Sequence, residues 1–163
     1  GPGQSLTNPY TGILSIFSTL ILNNKSINIF EDGQESRDFV FIDDVVTATR
    51  MGIEMDAANG QVFNVGTGVA TTVLEVANAL LKYYGKEVPV RVSGQYRLGD
   101  IRHNYADLTR IRTRLGFEPS ISFDEGIRQF TEWVAAQKVQ ESKYEDSIRE
   151  MKEKGLMGGG TKG

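Results

Sequence analysis

Two arginines in this chain are placed where a guanidinium could grip a phosphate. Arg37 precedes the apolar run Phe39 to Ile42, which reads as a short strand, and Asp43 stands where a helix starting at Asp44 needs its N-cap acceptor. A cation fixed at a strand mouth suits an anion, because the five donors of a planar guanidinium can hold two oxygens at once. An Arg37–Asp38 turn pair with no ligand explains the same residues equally well. Arg97 and Asp100, separated by Leu98 and Gly99, put a second cation and an acceptor in one glycine-containing loop. A diphosphate could meet Arg97 there while ribose hydroxyls donate to Asp100. The residues alone favour a plain loop salt bridge between the two.

Other chemistry is sparse. There is no cysteine, which excludes disulfides and thiolate metal sites, and the single histidine, His103, does not make a metal site alone. It reads as a pocket-rim or surface residue. Gly66-Thr67-Gly68 follows a short apolar run and precedes a helix, but Thr71 stands where a dinucleotide fingerprint needs its third glycine. Glu87 lies at about the spacing of a ribose-binding acid, yet precedes its strand instead of ending it. The segment is therefore not a cofactor fingerprint.

The elements that must hold these residues follow from periodicity and punctuation. Asn8-Pro9 opens a helix whose apolar stripe is Ile13, Ile16, Phe17, Leu20 and Ile21, ending at Asn23-Asn24. Ile27 to Phe30 alternates as a strand, with Phe30 pointing away from the Ile27/Ile29 face, and ends in the turn Glu31-Asp32-Gly33. The Asp43-capped helix is expected to carry Val45, Val46, Ala48, Gly52 and Ile53 inward, and Val62 to Val65 to form another short strand. Thr72 to Glu75 is a capping box for a helix bearing Val73, Val76, Ala77, Leu80 and Tyr84, stopped by Gly85. Val88, Val90 and Val92 alternate around Pro89, the pattern of an edge strand. Asp107 can cap a helix through Leu108, Ile111 and Leu115, closed by Gly116. Ser122 to Glu125 reads as a second capping box, opening a helix with Phe123, Ile127, Phe130 and Val134 on its inner face.

After that helix the composition changes. Residues 137–154 are mostly charged, which predicts a solvated helix or a partner-dependent arm, and residues 155–163 have the composition of a flexible tail. At 163 residues the chain is long enough for one ordinary core. A net charge of -3 with interspersed signs leaves no nucleic-acid footprint. No apolar run is long enough to span a bilayer and no signal peptide is present, so membrane partners are not expected and a cytoplasmic protein is the default.

The string around Arg37 also resembles the RD(Y/F)-apolar-apolar-apolar-DD signature of the extended short-chain dehydrogenases, the NAD-dependent epimerase/dehydratase family that acts on nucleotide sugars. GPGQ at the start, VFNVGTG at Val62 to Gly68, YRLGD at Tyr96 to Asp100 and LGFEPSISFDEGI at Leu115 to Ile127 resemble further motifs of that family, in its order and up to about Val134. The resemblance implies an α/β fold, the C-terminal substrate-binding part of an extended Rossmann-type short-chain dehydrogenase lacking most of the Rossmann domain. On that reading residues 1–136 are the nucleotide-sugar-binding portion, residues 39–66 dock on an NAD domain that precedes Gly1, and NAD is bound by that missing half. It further implies that Arg37 and Arg97 hold the diphosphate, Asp100 the ribose, and Phe30 the base, although a core phenylalanine is the commoner fate of that residue type. Asn104 corresponds to a position lining the sugar pocket, Asn64 and Gly66 lie near substrate, and Tyr10, Thr11 and Gly12 align loosely with a ligand-contacting helix start. Asp38 and Asp43 read as structural.

The family's general base is a tyrosine with a lysine four residues later. None of Tyr10, Tyr83, Tyr84, Tyr96, Tyr105 and Tyr144 has a lysine at that spacing, so no catalytic residue is expected in this chain. The implied function is the substrate-binding part of an NAD-dependent 4-epimerase of a UDP- or dTDP-hexose, inactive alone and a homodimer when intact. A dehydratase or decarboxylase would share the same grip. A non-catalytic nucleotide-sugar-binding module is the reading from a different class.

Overall fold

Apolar residues at helical spacing and one pair of short parallel strands make the main core. The structure, a computed structural model, describes residues 1–6, 12–137 and 144–159. Helix α1 (Ile13–Leu22) buries Phe17, Leu20 and Ile21, and strand β1 (Ile27–Ile29) buries Ile27 and Ile29 against it. The Asn8-Pro9 start signal lies outside the described residues. Helix α3 (Val73–Tyr84) adds Val76, Ala77 and Leu80, and helix α5 (Phe123–Ala135) adds Ile127, Phe130 and Val134. Strand β4 (Val90–Val92) lies parallel to β1, with Ile27 opposite Val90, and Pro89 contributes its carbonyl to the Ile27 amide.

Both ends of α3 follow local chemistry. Thr72 Oγ1 accepts from the Glu75 amide, the Glu75 carboxylate accepts from the Thr72 amide, and Gly85 closes the helix at φ 59°. Ser122 forms only half of the second box. Its hydroxyl accepts from the Glu125 amide, but the Glu125 carboxylate turns to Arg128 and Gln129, which hold its pKa down at about 2.

A smaller sheet sits beside this core. Strand β2 (Ser36–Arg37) runs antiparallel to β3 (Thr71–Thr72) and parallel to β6 (His103–Asn104). Helix α2 (Ile42–Glu54), a short 3-10 turn at Asp56–Ala58 and helix α4 (Thr109–Leu115) enclose a second cluster of Ala48, Leu108, Ile111, Leu115 and Phe117. Asp107 accepts from the Thr109 amide at 2.8 Å, one residue outside the cap position, which Leu108 occupies.

Four expectations are corrected. Phe39 to Phe41 is not a strand: Phe39 packs on Phe123 with ring centroids 5.6 Å apart, Phe41 is buried, and the chain passes directly into α2 at Ile42 with Phe41 in the N-cap position. Asp43 therefore caps nothing. The buried acid is Asp44, which accepts from the Ser120 amide, the Ser120 hydroxyl and the Ile121 amide at 2.8 to 3.1 Å. That clamp turns Asp44, Ala48, Met51 and Met55 inward and leaves Val46 and Ile53 57% and 81% exposed. Val62 to Val65 likewise has no strand neighbour among the described residues, and Val62 stands 77% exposed.

The charged stretch forms α6 (Tyr144–Glu153). Beyond it, where the glycines predict a flexible tail, β7 (Met157–Gly158) pairs antiparallel with β5 (Tyr96–Arg97). Residues 160–163 lie outside the described set. The flat approach explains the glycines: a Cβ at Gly158 or Gly159 would meet the Tyr96 ring, and one at Gly159 would also meet the Gly94 carbonyl. No helix among the described residues is long and apolar enough to cross a membrane.

Candidate functional site

The ends of β1, β2 and β5 converge on one cavity of about 320 Å³. Its walls include Phe30, Arg37, Arg97 and Asp100, four of the five residues singled out from the sequence, together with Gly12 at the start of α1. Tyr10 and Thr11 lie outside the described residues. Short strands achieve this because each ends at the cavity: Phe30 follows β1 and faces away from the core, Arg37 ends β2, and Arg97 ends β5.

The pairings differ from those that adjacency in sequence predicts. Arg37 does not pair with Asp38, and Arg97 does not pair with Asp100. Instead Arg37 Nη2 donates to Asp100 Oδ1 at 2.8 Å, and its Nη1 donates to the Ser36 and Arg102 carbonyls. The parallel β2–β6 pairing brings the two loops together, which spacing alone does not reveal. Arg97 instead lays its guanidinium over Phe30, 5.3 Å from the ring centroid, and has no ion pair among the described residues. Its Nε is buried without a hydrogen-bond partner. A guanidinium that is held by an aromatic face and left without an acid partner is suited to meet an incoming anion.

Asn104 sits apart. It lines a second, more open hollow of about 460 Å³ with Asn64, Asp38, Tyr105 and Ala106, and Arg37 alone of the five residues borders both spaces. Asn64 donates weakly to the Asp107 carbonyl at 3.4 Å. His103 is exposed on β6, its Nδ1 within 2.9 Å of the Ser36 hydroxyl.

The floor of this second hollow is an acid whose role is structural, as its sequence context suggests. Asp38 accepts from the Thr67 amide and hydroxyl, the Gly68 amide and the Ala106 amide, at 2.6 to 3.1 Å. Burial pushes its pKa up, but these donors outweigh burial and hold the carboxyl below its ordinary value. Gly66 is needed beneath it, since a Cβ there would collide with the Asp38 carboxylate and the Ala106 methyl. The loop amides at Thr67 and Gly68 that a cofactor pyrophosphate would require are thus already filled by a side-chain carboxylate. The Gly66-Thr67-Gly68 turn does not fit a dinucleotide.

Two acids of the cavity wall, Glu31 and Glu35, carry no site role in the sequence reading. Glu31 and Asp32 each take a nitrogen of Arg102 at 2.6 Å, tying the β1–β2 turn to the loop after Asp100. Glu35 lines the main cavity, is 8% exposed, and leaves Oε1 without a hydrogen-bond partner. Its position between a turn and a two-residue strand carries no periodic signal.

Residues 1–130 match the family model described as GDP-mannose 4,6 dehydratase. The dTDP-L-rhamnose 4-epimerase of Burkholderia thailandensis is 42% identical over 135 residues, 83% of this chain and 37% of that protein. The crystal structure of Thermotoga maritima UDP-glucose 4-epimerase with UDP-glucose aligns at TM-score 0.71 and 35% identity, covering 83% of this chain and 42% of that one. The Thermus thermophilus UDP-glucose 4-epimerase complex with NAD aligns at 0.72 and 26%, covering 84% and 44%. The chain thus spans about two fifths of the length of these relatives. An α/β arrangement that places two arginines, an acid and an aromatic ring around one cavity, carried on a match over residues 1–130, makes this chain a member of the extended short-chain dehydrogenase family of nucleotide-sugar epimerases and dehydratases, corresponding to their C-terminal portion.

Proposed function

We propose that this chain is the nucleotide-sugar-binding part of an NAD-dependent 4-epimerase acting on a UDP- or dTDP-hexose. The observation that carries the reading is Arg97, held over Phe30 with no ion pair among the described residues, in the same cavity as the Arg37–Asp100 pair. One guanidinium is free to take phosphate oxygens, the other is oriented by Asp100, and the aromatic ring offers a surface for the base. Base stacking of this kind is worth roughly 1–3 kcal/mol in nucleic-acid platforms. Asn104, across Arg37 in the second hollow, would border the sugar. The similarity to proteins described as a dTDP-L-rhamnose 4-epimerase and UDP-glucose 4-epimerases supports the substrate class. The family model's dehydratase description keeps dehydration or decarboxylation as the second reading, because the same grip serves those reactions.

NAD would be held by a preceding N-terminal half, since the turn at Gly66 to Gly68 is occupied by Asp38. In the intact enzyme NAD supplies reversible removal of hydride from the sugar. The part of residues 1–136 in this is to bind and orient: Arg37 and Arg97 hold the diphosphate while the sugar changes face. Residues 39–66, with Val46, Ile53 and Val62 exposed, would dock on the NAD-binding half, and the intact protein is read as a cytoplasmic homodimer.

Calorimetric titration of the intact enzyme tests the grip. Arg97→Ala should remove charge-assisted contacts worth roughly 1.5–3 kcal/mol, about a tenfold to hundredfold loss of affinity for UDP or dTDP, and leave the free nucleoside almost unaffected. Arg37→Ala should behave likewise. Asp100→Ala should weaken nucleoside and diphosphate together, and weaken the diphosphate further by releasing Arg37. Equal losses for nucleoside and diphosphate at both arginines would make them structural and end this reading of the site.

A further inference from the structure

Arg102 joins the two loops that carry the proposed site, and its two ends have different partners. Its guanidinium forks across the turn after Phe30, Nη1 donating to Glu31 and Nη2 to Asp32, each at 2.6 Å. Its carbonyl accepts from the Ser36 amide at 2.9 Å and from Arg37 Nη1 at 3.1 Å. Two residues earlier, one oxygen of Asp100 takes both Arg37 Nη2 at 2.8 Å and the Ile101 amide at 2.9 Å. Of the three acceptors that orient the Arg37 guanidinium among the described residues, two therefore belong to residues 100–102, and the third is the Ser36 carbonyl. The loop has no apolar anchor of its own: Leu98 and Ile101 stand 57% and 58% exposed, and Gly99 turns it at φ 78°. Arg102 does not line the cavity, whereas Glu31, Arg37 and Asp100 do. Exposed ion pairs contribute little to stability, so the effect of the fork is on geometry. A planar guanidinium held at two nitrogens is fixed in orientation, where an ammonium would meet one acid as a point charge.

Resting on the nucleotide-sugar reading above, we propose that Arg102 is a positioning residue for the diphosphate: its fork on Glu31 and Asp32 locks residues 100–102 to the turn after Phe30, so that Asp100 and the Arg102 carbonyl present Arg37 to the phosphates in one orientation. Without the fork Arg37 keeps all its atoms but spreads its guanidinium over several positions. Affinity then falls with the fraction of molecules that hold the correct one. The defect passes through Arg37 and is specific to the phosphates.

Calorimetric titration of the intact enzyme with UDP and with uridine tests this, on wild type, Arg102→Met, Arg102→Lys, Arg37→Ala and the Arg37→Ala/Arg102→Met double variant. Arg102→Met keeps the stem and removes the fork, and should lose about tenfold in UDP affinity but no more than about twofold in uridine affinity. Arg102→Lys keeps the charge without the fork and should lose nearly as much. In the Arg37→Ala background, Arg102→Met should cost UDP no more than it costs uridine, because the group it positions is gone. The melting temperature of Arg102→Met should stay within about 3 °C of wild type. Full UDP affinity in Arg102→Met would overturn the proposal, and so would full affinity in Arg102→Lys, which would make the effect one of net charge. An equal loss for uridine, an undiminished loss of UDP in the Arg37→Ala background, or a melting temperature far below wild type would also overturn it, and leave the nucleotide-sugar site standing. Absence of UDP binding to wild type, or equal losses of UDP and uridine in Arg37→Ala, would overturn the reading of the site with it.

Discussion

At the scale of single residues, adjacency in sequence is a poor guide to which side chains pair. Arg37, Arg97, Asp100 and Phe30 do share a cavity, but the ion pair crosses from β2 to the loop after β5, a relation set by strand pairing and invisible in spacing. Glu35 was not legible at all, because burial of a turn acid depends on what packs over it. Asp38 shows the opposite case: its sequence context marked it as structural, and four donors make it so. Its depressed folded pKa means stability that is fully present above the unfolded carboxyl value and lost as pH falls through the folded one. Asp38→Asn should therefore cost about 1–3 kcal/mol at neutral pH, and the gap to wild type should close as pH drops below about 4. Chemical denaturation at several pH values measures this, and a gap independent of pH would assign the loss to shape and not to charge.

At the scale of elements, helices announced by caps were readable and extended segments that need a neighbour were not. The Thr72 box and the Gly85 and Gly116 stops appear where local chemistry puts them. Phe39 to Phe41 and Val62 to Val65 have the composition of strands, but a strand exists only with a ladder partner, and none is supplied by the described residues. The orientation of α2 is set by Asp44 and not by its apolar residues. Asp44→Ala strands two amides and a hydroxyl in a buried site, so it should destabilise by roughly 3 kcal/mol, against about 1 kcal/mol for Thr72→Ala. Thermal melts of the two variants should rank them in that order; the reverse order would mean that the Asp44 clamp is dispensable.

At the scale of the whole molecule, one side is finished and the other is not. α1, β1, α3 and α5 close a core, whereas Ile42, Val46, Ile53, Val62 and Val69 remain exposed on α2 and the segment that follows it. The isolated Gly1–Gly163 chain should accordingly associate through that side in light scattering, and the triple variant Val46→Lys, Ile53→Lys, Val62→Lys should be monomeric with little change in melting temperature. It should also turn over no nucleotide sugar, because it has no tyrosine with a lysine four residues on. Equal association by the parent chain and the triple variant would place the contact elsewhere.

The pairing of β7 with β5 gives the pocket an equilibrium of its own. Met157 lies opposite Arg97, and the Leu98 amide reaches the Leu156 carbonyl at 3.0 Å, yet neither strand belongs to the sheets that hold the cores. Such a two-stranded flap can open without unfolding the helices, so its amides should exchange with solvent through a sub-global opening. When it opens, Arg97 loses its register over Phe30. If the proposed site takes a diphosphate, its apparent affinity should be the intrinsic affinity scaled by the fraction of molecules in which the flap is closed, and substitutions at Gly158 or Gly159 should weaken binding through that population.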